Sequence, residues 1–341
     1  MRRGVQMNRV DRRLAQFGAA AILSVSGAYV CAKQTPDPAA SQDQYETAAV
    51  SPATPIGSGP RKAIMEVVPA LPTHTIYRPA DMSDGFAKLP VVLFANGGCL
   101  NEGNRFRWFL SEIASYGFLV IALGPIGPSA VERGPAPVRA PSISPAVAKI
   151  IPEHEQNPAS HTRDLIRAMD WAVKENQRET SAYHQHLATA QIAVMGQSCG
   201  GIQALEASAD PRVSTTIIWS SGFFPQGATL MGGGKAMSEE DLKLLHAPIA
   251  YISGDDVDRA YPNANADFDH INSVPVLRAY ERGIPHAGTY WDQNGGEFAG
   301  IAIAWLEWQL KSDSRSARMF AGPNCGLCVN PRWVVRRKSI G

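Results

Sequence analysis

A serine flanked by glycines is the strongest chemical signal in this 341-residue sequence. Residues 196–200 read GQSCG and fit the pattern G-x-S-x-G, which places a nucleophilic serine on a sharp turn between a strand and a helix. An apolar run at 191–195 precedes the motif, and a helical segment begins at 201. The glycines permit the bend, and the helix N-terminus favours developing negative charge. We therefore predict that Ser198 is a nucleophile.

A serine hydroxyl is a weak nucleophile at neutral pH and needs a base beside it. The sequence offers eight histidines. His286 is the predicted base because it lies in a loop that follows the last predicted strand. His270 lies on a helical stretch and His246 enters a strand, so both are interpreted as packed or surface residues.

The imidazole of such a base is held in the correct tautomer by a buried acid. A predicted strand at 249–253 is followed by three aspartates. Asp258 is the predicted acid, with Asp256 as the alternative. The same aspartates could suggest a cation site, but no second cluster of ligands supports one, so no metal is expected.

The negative charge that forms on attack needs N–H donors already in place. One donor is expected to be the backbone amide of Cys199, the residue after the nucleophile. The second is expected from residues 96–99, with sequence NGGC, where Gly98 or Cys99 is the candidate. A glycine turn that only reverses the chain is the alternative.

Short β-rich runs alternate with helical segments along most of the chain. Several runs are continuously apolar, which is typical of strands buried on both faces of a mostly parallel sheet. The pattern predicts a doubly wound α/β domain flanked by helices. The predicted strands cover 64–68, 74–78, 91–95, 118–123, 191–195, 215–219, 249–253 and 275–280.

Composition divides the chain into segments. Residues 1–32 are predicted to be a signal peptide, and 33–60, rich in Pro, Ala and Gln, a disordered linker. The domain is expected over 61–312. Within it, the proline-rich insertion at 124–158 is either a lid over the site or an exposed loop without a catalytic part. Residues 313–341 are a cysteine-bearing tail.

Arginines precede an apolar stretch at 17–30, which is too short for the roughly twenty residues of a membrane-spanning helix. Export to the periplasm or the extracellular space is expected, without stable membrane insertion once the signal is removed. Lipoprotein anchoring at Cys31 and an uncleaved N-terminal anchor are the alternatives. The 32 basic and 31 acidic residues form no long run, so no nucleic-acid partner is expected.

Four cysteines remain after the signal. Cys99 and Cys199 lie in loops expected at one pocket, where they form either a disulfide or two thiols. Cys325 and Cys328 lie outside any thioredoxin-like unit, so a structural disulfide is favoured over redox catalysis. Two cysteines cannot complete a zinc site alone, and no cofactor is expected.

Aromatic residues follow another predicted strand at the same edge of the sheet as the nucleophile. Trp219 and Phe223 are predicted to line the substrate pocket. Core packing accounts for Trp219 equally well.

The motifs at 96–99 and 196–200, followed by Asp258 and His286, resemble the dienelactone-hydrolase and polyester-hydrolase branch of the α/β-hydrolases over about residues 64–310. The resemblance implies the α/β-hydrolase fold and a secreted serine esterase that cleaves a small or polymeric carboxylic ester through an acyl-enzyme. It also favours Asp258 over the alternative acid.

The sequence departs from that branch next to the nucleophile. Gln197 stands where His is common, and Cys199 where Met is frequent, while a dienelactone hydrolase proper has a cysteine nucleophile. A peptidase or acyltransferase with the same triad therefore stays open, as does a binding protein without catalysis. A thiol oxidoreductase acting through Cys325 and Cys328 is a further alternative.

Overall fold

A computed structural model describes residues 52–83, 86–127, 159–223 and 239–341. These residues form one nine-stranded sheet with helices packed against both of its faces. The predicted α/β class with a mostly parallel sheet is confirmed.

The sheet has the strand order β1-β2-β4-β3-β5-β6-β7-β8-β9. Each pair of neighbours in the central part of the sheet is parallel, along the order β4-β3-β5-β6-β7-β8. Antiparallel pairs occur at the two edges, where β1 pairs with β2, β2 with β4, and β8 with β9. The strands are β1 Ala63–Glu66, β2 His74–Pro79, β3 Leu89–Ala95, β4 Leu119–Leu123, β5 Leu187–Gln197, β6 Val213–Trp219, β7 Ile249–Gly254, β8 Val276–Glu281 and β9 Trp333–Lys338.

The central strands are buried from end to end. Every residue of β3, β4 and β7 is buried, as is the second half of β5. Apolar side chains on both faces explain why these runs are continuously apolar rather than alternating. Because the strands are parallel, their carboxyl ends meet at one rim of the sheet, and the loops that follow β3, β5, β7 and β8 emerge there.

Two apolar clusters fix the helices on the sheet. One face packs against α1 and α5 through residues such as Phe109 and Trp305. The other face packs against α2, α3 and α4 through residues such as Met169, Leu205 and Phe268. The helices are α1 Arg107–Ser115, α2 Thr162–Gln177, α3 Cys199–Ala207, α4 Tyr261–His270, α5 Gly296–Lys311, α6 Ser314–Ala317 and α7 Gly326–Val329.

The segment before β1 contacts the domain along the part that is described. Ile56 forms an antiparallel bridge with Ala63. The Gly59 amide donates to the Ser115 hydroxyl of α1 at 3.0 Å. The end of the predicted linker at 33–60 is therefore ordered against α1, because its backbone finds partners that its composition does not reveal.

The C-terminal tail is part of the sheet. Residues 333–338 form β9, which pairs with β8 in antiparallel register from Trp333 opposite Glu281 to Lys338 opposite Val276. The sequence predicts no strand here, since three basic residues end the run. In the structure most of the strand is only partly buried. Its hydrogen-bonding partner, β8, lies more than fifty residues earlier, so the pairing cannot be recognised from the local sequence.

Two of the predicted segments cannot be compared with the fold. The signal at 1–32 lies outside the described residues, and so does the insertion at 124–158 beyond residue 127. Within the described ranges, none of the helices combines the length and apolar character needed to cross a membrane.

Candidate active site

The serine motif forms a strained turn between β5 and α3. β5 ends at Gln197 and α3 begins at Cys199. Ser198 between them has φ 53° and ψ −122°, a positive-φ conformation that residues with a Cβ rarely adopt. Its amide donates to the Trp219 carbonyl at 3.0 Å, which ties the turn to β6. The Ser198 side chain is half-buried at the carboxyl end of the sheet.

The glycines of the motif fill positions without space for a side chain. A Cβ at Gly196 would lie 2.0 Å from the Gly200 carbonyl oxygen, and one at Gly200 would lie 2.1 Å from the Ala95 carbonyl oxygen. One at Gly201 would lie 2.4 Å from the Ser221 Cβ. The turn can be this tight because all three residues are glycine.

His286 reaches the serine from the loop after β8. Its Nε2 lies 2.9 Å from the Ser198 Oγ. The loop is held by Gln197, whose side-chain amide donates to the His286 carbonyl at 3.1 Å. The end of β7 approaches the same loop so closely that a Cβ at Gly254 would lie 1.7 Å from the Ile284 carbonyl oxygen.

Asp258 completes a chain of hydrogen bonds. Its Oδ1 lies 2.7 Å from the His286 Nδ1 and also accepts the Ala260 amide at 2.9 Å. The side chain is fully buried, whereas Asp256 is exposed. With Nδ1–H donating to the carboxylate, Nε2 can accept the Ser198 hydroxyl proton.

The environment of Asp258 favours its charged form. Burial alone would raise the pKa of this carboxyl, but the hydrogen bond from His286 and the attraction of the imidazolium outweigh burial, with the Ala260 amide adding to them. The net result is a pKa below the usual aspartate value. The acid therefore stays ionised at neutral pH and can stabilise positive charge on His286.

The loop after β3 lies beside the serine turn. Gly97–Cys99 forms a single 3-10 turn in which Gly98 has φ 66° and Cys99 has φ 49°. The Cys99 amide donates to the Asn96 carbonyl at 3.2 Å, so Gly98 is the better of the two predicted donors. The Asn96 side-chain amide, which is buried, donates to three backbone carbonyls and holds the loop against β4.

The two cysteine pairs lie at disulfide-bonding distance. The Cα atoms of Cys99 and Cys199 are 5.2 Å apart, and those of Cys325 and Cys328 are 4.9 Å apart. The first pair joins the loop after β3 to the start of α3. The second pair lies within the tail.

The structure places Trp219 in the core and not at the surface of the site. Trp219 is fully buried and stacks on Phe298 with ring centroids 5.4 Å apart, because its position on β6 points it at the face covered by α5. Phe223 is also buried, on the opposite face, and its amide donates to the Asp267 carboxylate at 2.8 Å. The core-packing alternative for Trp219 fits this arrangement, and the pocket role of Phe223 stays a prediction.

The remaining histidines considered from the sequence lie elsewhere. The His246 Nε2 is 3.1 Å from the carbonyl oxygen of Val213, the first residue of β6, and His270 ends α4. Sequence reasoning missed two positioning contacts. These are the Gln197 amide on the His286 loop and the Ser221 hydroxyl, which donates to the Ser198 carbonyl at 2.6 Å.

The arrangement has the geometry of a proton relay. A hydroxyl, an imidazole and a buried carboxylate follow one another within hydrogen-bonding distance, and a helix begins at the hydroxyl. In the described part of the chain, no group of three or more His, Cys, Asp or Glu side chains is placed to hold a metal ion. No protein-family model matches this chain, and a comparison with curated proteins finds no significant match.

Proposed function

We propose that this protein is a serine hydrolase of the α/β-hydrolase fold that cleaves a carboxylic ester. The observation that carries the proposal is the continuous hydrogen-bonded chain from Ser198 through His286 to Asp258 at a strained strand-turn-helix. The order Ser, Asp, His along the chain is the one expected for this fold.

In the proposed reaction Ser198 attacks the ester carbonyl and passes its proton to the His286 Nε2. Asp258 stabilises the imidazolium that forms but is not itself protonated. His286 then donates the proton to the leaving alcohol, and the acyl group stays on Ser198. A water molecule, deprotonated by the same imidazole, attacks the acyl-enzyme, releases the acid and regenerates the serine.

The tetrahedral intermediate carries a negative charge that backbone amides must stabilise. The amide of Cys199, at the start of α3, is the first proposed donor. The amide of Gly98, in the turn after β3, is the proposed second donor. Preorganised donors of this kind contribute strongly, and loss of one has been worth about 10²- to 10³-fold in rate in a protease.

We also propose that the chain is exported. The apolar stretch near the N-terminus supports this, and so does the pairing of cysteines, since disulfides persist in oxidising compartments.

A covalent probe and a substrate series test the proposal together. A fluorophosphonate should label the wild-type chain at Ser198, as mapped by peptide mass spectrometry, and should not label Ser198→Ala. p-Nitrophenyl esters of increasing acyl length should be hydrolysed by the wild-type chain, and Ser198→Ala should reduce kcat to near background. An exposed serine outside the relay, Ser314 at the start of α6, provides the control, because Ser314→Ala should still be labelled. A wild-type chain that neither labels nor hydrolyses any ester would contradict the proposal.

A further inference from the structure

The cysteine pair at the site joins the two loops that carry the proposed oxyanion donors. Cys199 is the residue whose amide follows the nucleophile, and Cys99 closes the turn that contains Gly98. Their Cα atoms lie 5.2 Å apart although 100 positions separate them in sequence. A covalent bond here therefore fixes the ends of β3 and β5 to each other at the place where the proposed donors lie.

Both loops have backbones that need external support. Ser198, Gly98 and Cys99 have φ values of 53°, 66° and 49°. Residues other than glycine rarely occupy this region, and they stay there only when surrounding contacts hold them. The direction of each donor amide depends on these angles, so whatever holds the angles also aims the amides.

Several hydrogen bonds tie the turn to neighbours other than α3. The Cys99 amide bonds within its own turn, and the Cys99 carbonyl accepts the amide and the hydroxyl of Ser160, each at 3.1 Å. An indirect connection to α3 runs through the Gln203 amide, which donates to the Ser160 carbonyl at 2.6 Å. The bond between Cys99 and Cys199 is the covalent connection between the turn and α3.

The two loops also touch without room for adjustment. A Cβ at Gly200 would lie 2.1 Å from the Ala95 carbonyl oxygen and 2.7 Å from that of Asn96. The start of α3 therefore rests on the backbone at the end of β3. A small displacement of one loop along the other would change the distance between the Cys199 and Gly98 amides. The disulfide opposes that displacement.

We propose that the Cys99–Cys199 disulfide is a positioning clamp that sets the spacing of the two oxyanion donors. This inference rests on the proposed hydrolase function. It predicts that a chain without the bond still binds ester but stabilises the tetrahedral intermediate poorly, since misplacement of reacting groups by about 1 Å can cost about 10²-fold in rate.

A bond that only stabilised the fold would behave differently. Both cysteines are buried, and a crosslink over so many residues would stabilise any fold. If the bond only stabilises the fold, its removal lowers the unfolding temperature but leaves kcat of the folded fraction unchanged. If the bond is a clamp, its removal lowers kcat while KM changes little. Removal also weakens the binding of an inhibitor that mimics the tetrahedral intermediate.

The experiment compares two double variants of the full chain. Cys99→Ala/Cys199→Ala removes the clamp, and Cys325→Ala/Cys328→Ala removes the tail pair as a matched control. Each is assayed for kcat and KM with p-nitrophenyl butyrate at a temperature where its circular dichroism shows it folded. Phenylboronic acid, which forms a tetrahedral adduct with an active serine, reports on the oxyanion site. Unreduced peptide mass spectrometry of the wild-type chain checks both bonds.

The clamp predicts a loss of about 10- to 100-fold in kcat for Cys99→Ala/Cys199→Ala, with KM within about threefold and phenylboronate binding weakened about as much as kcat. The tail variant should stay within about twofold of wild type in all three. Cys99→Ser and Cys199→Ser singly break the same bond with a change of one atom, and each should lose as much kcat as the double variant. They supply the measurement if the double variant does not fold.

Three outcomes would overturn the clamp alone: unreduced wild-type chain that is active with both thiols free, a folded clamp variant with wild-type kcat and phenylboronate binding, or an equal loss in the tail variant. A wild-type chain that neither hydrolyses ester nor labels at Ser198 overturns the proposed function, and the clamp falls with it.

Discussion

The two cysteine pairs differ in what they connect. Cys99 and Cys199 are 100 positions apart, both are buried, and they join loops at the carboxyl ends of central strands. Cys325 and Cys328 are three positions apart in the tail, and Cys328 is exposed. The two disulfides therefore lie in two different regions of the molecule. We call the loops after β3, β5, β7 and β8 the relay rim, and residues 313–341 the tail edge.

The comparison shows how position in the sheet decides the consequence of a bond. At the relay rim, parallel strands bring distant loops to one place, so that a small displacement affects several polar groups at once. At the tail edge, β9 adds one antiparallel strand to β8, and its contacts attach the tail to the domain. We expect changes at the relay rim to alter both activity and stability, and changes at the tail edge to alter stability alone.

The largest expected effect comes from the buried acid of the relay rim. Asp258→Asn keeps the shape of the side chain but removes the charge that orients and stabilises the His286 imidazolium. Hydrolysis of a p-nitrophenyl ester should fall by about 10³- to 10⁴-fold in kcat, as in a serine protease with the equivalent change. The neighbouring Asp256→Asn is the matched control and should stay within about twofold. Equal losses in both variants would contradict the assignment of Asp258.

That prediction separates two aspartates that the local sequence could not distinguish. Both follow β7, and the resemblance alone favoured Asp258. In the structure the Asp258 amide donates to the Asp255 carbonyl at 2.9 Å, and this turn buries Asp258 while it leaves Asp256 exposed. Which carboxylate points inward depends on this local turn and also on the His286 loop, which follows another strand and cannot be recognised from the residues around Asp258.

The serine turn and the strands were easier to predict because their signals are local. A buried strand, two glycines around Ser198 and a following helix all lie within about fifteen residues. Trp219 was ambiguous because an aromatic residue at a strand end suits either a pocket or a core, and only the covering helix α5 decides. β9 was missed because its partner strand lies far away in sequence.

The second expected effect is on stability at the tail edge. Removal of the Cys325–Cys328 pair by double alanine substitution should lower the free energy of unfolding by about 2 kcal/mol, because this disulfide closes a short loop. Removal of the Cys99–Cys199 pair should lower it by about 4.7 kcal/mol, because that disulfide closes a loop of about 100 residues. Urea unfolding of the two alanine double variants should therefore rank them in that order. A larger loss at the tail edge than at the relay rim would reverse the comparison.

A third effect concerns the side chain that ties the base loop to the serine turn. Gln197→Ala removes the donor to the His286 carbonyl and should lower kcat about tenfold, because the imidazole is no longer held at the Ser198 hydroxyl. Gln197→Glu keeps the size but loses the donor, so it should lose at least as much. Gln177→Ala, at the exposed end of α2, is the control. Full activity of Gln197→Ala would show that the loop is held by other contacts.

The smallest expected effect is on stability, and it comes from the charge of Glu281, which pairs with the tail. We expect this charge to change the free energy of unfolding but not kcat. Glu281 ends β8, is buried, and pairs with Arg332 of the tail at 3.0 Å. Burial, with the nearby negative charge of Glu297, raises the pKa of Glu281 to about 7, although Arg332 opposes the shift. The folded chain therefore binds this proton more tightly than the unfolded chain, whose glutamate pKa is about 4.3.

The sign of the pH dependence follows from that difference in proton binding. Between about pH 4.5 and pH 7 the folded state holds the extra proton, so this group lowers the free energy of unfolding as the pH rises, and its effect is constant above about pH 7. Glu281→Gln should match wild type near pH 5 and be more stable at pH 8 by on the order of 1 kcal/mol, because the amide carries no buried negative charge at that pH. Urea unfolding at both pH values measures the difference. The kcat of Glu281→Gln should stay near wild type at both pH values; a loss comparable to that of Gln197→Ala would mean that the tail edge also positions His286.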